Sequence, residues 1–70
     1  MLEYCVDRVP QQNGYHEVHK MSCRRVREFD YRADLGHHAS CYEAVAEAKK
    51  LYPYSPVNGC VLCSRDCHVG

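Results

Sequence analysis

His19 and Cys23 stand four positions apart, and Cys60 and Cys63 three apart behind Asn58-Gly59. Zinc takes four ligands of this kind, thiolate or imidazole, and such spacings let one turn aim both members of a pair inward. Cys60-Val61-Leu62-Cys63 has the spacing of a zinc knuckle. His19, Cys23, Cys60 and Cys63 are therefore the candidate ligands of one structural Zn2+. The competing interpretation is that the thiols are small buried hydrophobes, a common fate of free cysteine.

Cys41, Cys67 and His68 are alternative metal or disulfide residues. A site built from Cys60, Cys63, Cys67 and His68 would be local to the tail and would leave the N-terminal hairpin unstapled, so the long-range set is preferred. Cys41 falls in the first turn of an expected helix, where amide dipoles lower a thiol pKa. It also fits the apolar stripe of that helix, and packing is the favoured role, as it is for Cys5. Ser64 stands where c-type haem attachment would need histidine. The clustered cysteines and proline of a ferredoxin run are missing. A thiol-redox role for Cys60/Cys63 with Cys41 or Cys67 is a rival, although a thioredoxin-like motif would precede a helix, and this one follows it.

Lys20, Arg24, Arg25 and Arg27 surround Cys23 and could meet a phosphate backbone, giving a nucleic-acid-binding alternative. Glu28, Asp30 and Asp34 follow closely, and a mixed charge run is usually a solvated face. No Ser/His/Asp triad, phosphate-cradling glycine loop or paired-carboxylate motif is present. The expected protein is not an enzyme.

The elements that must position these ligands are short. Glu3 to Val9 alternates as a strand, Pro10 stops it, and Gln11-Gln12-Asn13-Gly14 makes a hairpin turn. Tyr15 to Lys20 returns, with Tyr15, Glu17 and His19 on one face and His16, Val18 and Lys20 on the other. Met21 to Arg27 is a connector presenting Cys23, and Tyr31 to Leu35 is a third strand ending at Gly36. Ser40-Cys41-Tyr42-Glu43 reads as a capping box. It opens a helix whose stripe of Cys41, Ala44, Val45, Ala48, Leu51 and Tyr52 should cover the sheet, with Pro53 and Pro56 beyond its end. Val57 to Gly70 is a knuckle-like tail. The expected fold is α+β: a β-hairpin and third strand packed by one helix.

Seventy residues make a single domain, 1–70, with one phenylalanine and no tryptophan. A chain of that length has a marginal apolar core, and a structural zinc adds about 10–16 kcal/mol in small domains. Nine basic residues balance nine acidic ones, so no global field draws the chain to nucleic acid or anionic lipid. No apolar run suits a membrane span, and Met1 to Asp7 lacks the features of a signal peptide. The expectation is a cytoplasmic protein with reduced thiols. The same six cysteines in an oxidising compartment would form a disulfide framework.

With its ligand pairs in place, the layout resembles the zinc-binding domain of the Ada-type methyl-phosphotriester sensors. The matching pieces are His19-Lys20-Met21-Ser22-Cys23, Ser40-Cys41-Tyr42-Glu43-Ala44 and Cys60-Val61-Leu62-Cys63, within residues 15–63. The chain also resembles short uncharacterised bacterial proteins. The Ada-type resemblance implies a zinc fold. In the sensors the methyl-accepting thiol holds the first position of the first pair, where this chain has His19, so the resemblance argues against methyl transfer. The expected role is a zinc-stapled binding or interaction module.

Overall fold

The computed structural model describes residues 1–69. Its strands are β1 (Leu2–Asp7), β2 (His16–Lys20), β3 (Arg32–His38) and β4 (Val57–Gly59), with one helix, α1 (Cys41–Leu51). Short 3-10 turns occupy Phe29–Tyr31 and Arg65–Cys67. The sheet order is β3-β1-β2-β4. β1 is antiparallel to both β2 and β3, whereas β2 and β4 are parallel. The two edge strands thus run in the same direction, and α1 carries the chain between them. This is the expected α+β class with one helix packed on a sheet.

The hairpin turn closes where Gly14 takes φ +86° and its N–H donates to the Gln11 carbonyl at 2.8 Å. Asn13 contributes through its side chain, accepting from the Tyr15 N–H at 3.0 Å. Opposite Tyr4 the β1/β3 register shifts, and Gly36 sits there at φ +79°. Gly36 was expected to end the third strand. Instead it absorbs the irregularity, and pairing continues to His38.

Strand alternation then sorts the side chains. Tyr4, Val6, Val18 and Leu35 face α1 and pack with Cys41, Ala44 and Ala48. Val45 and Tyr52 join from the margin, and the Tyr52 ring stacks on His16 at 4.0 Å. Leu51, expected in the covering stripe, is 52% exposed. It closes the last turn of the helix, away from that cluster.

Two further expectations change. Ser40 is the N-cap residue, but its side chain makes no capping hydrogen bond. Only half of the box forms, and it is displaced by one residue: Glu43 Oε1 accepts from the Ala39 N–H at 3.0 Å. The tail also contains a fourth strand that its sequence did not announce. The His16 N–H donates to the Pro56 carbonyl and the Cys60 N–H to the Val18 carbonyl, each at 2.9 Å, so β4 zips onto β2 from both ends. Among the described residues, no helix is long and apolar enough to cross a membrane.

Candidate metal centre

β2 supplies His19, which is 1% exposed and lies opposite Cys5 on the face away from α1. One turn later, Cys23 is fixed by its N–H to the Lys20 carbonyl at 2.9 Å and by the Val26 N–H donating back to its own carbonyl. Cys60 follows β4 directly, so the parallel pairing of Gly59 with Val18 delivers it beside His19. A tight turn, with the Ser64 N–H on the Cys60 carbonyl at 2.8 Å, swings Cys63 round to the same place. Gly59 is required by this packing. A Cβ there would lie 2.6 Å from the Ser64 carbonyl oxygen and 2.7 Å from Cys67 Cβ.

The outcome is a cluster of His19, Cys23, Cys60 and Cys63 whose ligand atoms all lie within 4.8 Å of one another. In a tetrahedral zinc site with metal–sulfur bonds of about 2.3 Å, ligand atoms are about 3.8 Å apart. Bound metal would therefore draw the set together by no more than about 1 Å. Two observations fit a metal ion held here. His19 Nδ1 is buried with no hydrogen-bond partner. The Lys20 N–H donates to Cys63 Sγ at 3.2 Å, an amide bond that favours thiolate. The donor set can hold a metal ion.

Cys5, Cys23, Cys60 and Cys63 are free thiols. Burial pushes Cys63 up to about 11 against the Lys20 amide and the Ser64 hydroxyl. Burial acts upward on Cys23 as well, but the Arg25 amide and the neighbouring Cys63 and Cys60 outweigh it and hold Cys23 below the usual thiol value. Burial also works against the His19 imidazolium, yet Asp7 and Cys60 more than compensate and raise its pKa. Cys5, expected to be packing, is fully buried, and that burial lifts its thiol to about 12.

The alternative residues lie elsewhere. Cys41 and Cys67 are joined in a disulfide that ties the first turn of α1 to the tail. Cys41 is also buried in the helix stripe, so packing and bonding coincide. The expectation of wholly reduced thiols therefore fails for this pair. His68 Nδ1 lies 3.0 Å from the Gly59 carbonyl oxygen, outside the cluster. The tail-only set is not assembled, because Cys67 is committed to Cys41.

Arg24, Arg25 and Arg27 are all exposed, and two of them have partners within the chain. Arg25 approaches Glu17 at 4.0 Å, Arg27 lies over the Tyr31 ring, and Arg24 is exposed. Lys20 borders a cleft of about 340 Å3 between the start of α1 and the tail, together with Tyr4, Ser40, Cys63 and Arg65.

Sequence reasoning missed Asp7 and Glu17, which are buried against His19 and form a second potential donor group with it. The position of Glu17 two residues before His19 on the same strand face was the available signal. The chain matches no family model, no curated protein and no solved structure.

Proposed function

We propose that this domain is a non-catalytic binding or interaction module stapled by one structural Zn2+ on His19, Cys23, Cys60 and Cys63. The observation that carries the proposal is the convergence of one imidazole and three thiols from β2, its connector and the tail. Three sulfurs and a nitrogen suit zinc, and a fully protein-ligated site offers no open position for a reacting water. The resemblance to Ada-type domains supports the metal. His19 at the methyl-accepting position supports a role without methyl transfer. The cleft beside Cys63 gives a binding module a concave surface of useful size.

The test is metal content with stability. Protein purified without chelator should carry about one zinc per chain, and EDTA should abolish cooperative unfolding, because binding and folding energies are coupled. His19→Ala should lose the zinc and His68→Ala should keep it. A metal-free protein that unfolds cooperatively and ignores EDTA would overturn the proposal.

The disulfide favours a second function, thiol redox chemistry. Its partners are Cys41 and Cys67, however, while Cys60 and Cys63 remain thiols. A redox protein would respond to dithiothreitol and be indifferent to EDTA.

A further inference from the structure

Two carboxylates are buried on the sheet face that carries His19. Asp7 is 2% exposed and Glu17 6%. Asp7 Oδ1 lies 3.2 Å from His19 Nε2, and Glu17 Oε1 lies 3.7 Å from it. Neither oxygen has a hydrogen-bond partner, and neither does His19 Nε2. The Arg25 guanidinium also approaches Glu17, at 4.0 Å. Burying a carboxylate without a donor is expensive, so a structure that places Asp7 here needs a use for it. A small rotation of the His19 ring would bring Nε2–H onto Oδ1 at hydrogen-bond length. That leaves Nδ1, the other buried orphan, as the nitrogen available to a metal.

We propose that Asp7 is a positioning residue of the metal centre. It accepts the Nε2–H of His19, fixes that tautomer and presents Nδ1 to the position shared with Cys23, Cys60 and Cys63. The inference rests on the zinc-staple proposal. Its chemistry is general, because a ligating histidine is oriented through the N–H it does not use for metal. Glu17 is farther from Nε2 and close to Arg25, so it backs the contact electrostatically without making it.

The test begins with the unmodified full chain, zinc-loaded and 15N-labelled. Long-range proton–nitrogen spectra of His19 should show a protonated Nε2 and a metal-bound Nδ1. A protonated Nδ1 with Nε2 on the metal would overturn the positioning role while leaving the zinc staple intact. Cobalt(II) titration supplies the second readout. Asp7→Ala should weaken binding by about 10–100-fold. Asp7→Asn keeps an oxygen acceptor and should rescue affinity to within a few-fold, with the parent d–d spectrum. Glu17→Gln should change least. Parent affinity in Asp7→Ala would refute the role of Asp7. A parent chain that takes up neither zinc nor cobalt would overturn the staple, and the positioning role with it.

Discussion

The two faces of one sheet are buried by different chemistry. Toward α1, Tyr4, Val6 and Val18 meet Ala44 and Ala48, and small alanines let the helix lie close on an apolar surface. On the other face, the same strands present Cys5, Asp7, Glu17 and His19, all buried. Hydrophobic burial scales with area and needs no particular partner. Buried carboxylate and imidazole are stable only when each finds a specific one. One face therefore tolerates conservative change, whereas the other depends on a complete set of donors.

Substitutions that leave the four metal ligands in place can separate the faces, and the largest of these effects belongs to the helix side. Ala48 is fully buried, so Ala48→Asp places an unpaired charge in the apolar layer and should cost on the order of 4 kcal/mol. Denaturant melts with and without added zinc would measure it. A variant as stable as its parent would mean that the helix does not seal this face. Next in size is Cys67→Ser, which opens a link between residues 26 apart. Chain-entropy reasoning gives about 3.5 kcal/mol for that loop. Zinc content should stay unchanged, because Cys67 lies outside the cluster; a loss of zinc with the disulfide would show that the two faces are not independent. The smallest effect is at the helix start. Ser40→Ala should cost less than about 0.5 kcal/mol, because the hydroxyl caps nothing, whereas Glu43→Ala removes the acceptor of the Ala39 amide and should cost about 1 kcal/mol. Equal losses from the two would restore the capping box that the sequence suggests.

Legibility in the sequence followed locality. The hairpin, the helix and the pairing of His19 with Cys23 rest on neighbours a few residues apart, and periodicity with turn chemistry reveals these. Val57-Asn58-Gly59 reads as a turn, because asparagine and glycine are poor strand formers, yet it pairs with β2 once α1 returns the chain to that edge. Tertiary pairing overrode local preference there. Asp7 looks like an ordinary strand acid until the β1/β2 register places it beside His19. The Cys41–Cys67 bond is also a long-range fact, since spacing alone leaves fifteen pairings of six cysteines open. Ser40 shows the limit of a local motif: its pattern was right, but Glu43 chose the amide one residue earlier.

The disulfide has a consequence for how quickly the other face can recover. It anchors the tail four residues beyond Cys63 to Cys41, so even in a chain unfolded by loss of metal the path from Cys63 back to Cys23 is much shorter than the unbridged chain between them. Short tethers hold groups at effective concentrations in the millimolar range. Recapture of an ion by the oxidised chain is then a search over a smaller loop, whereas the reduced chain must first bring its tail back from a larger volume.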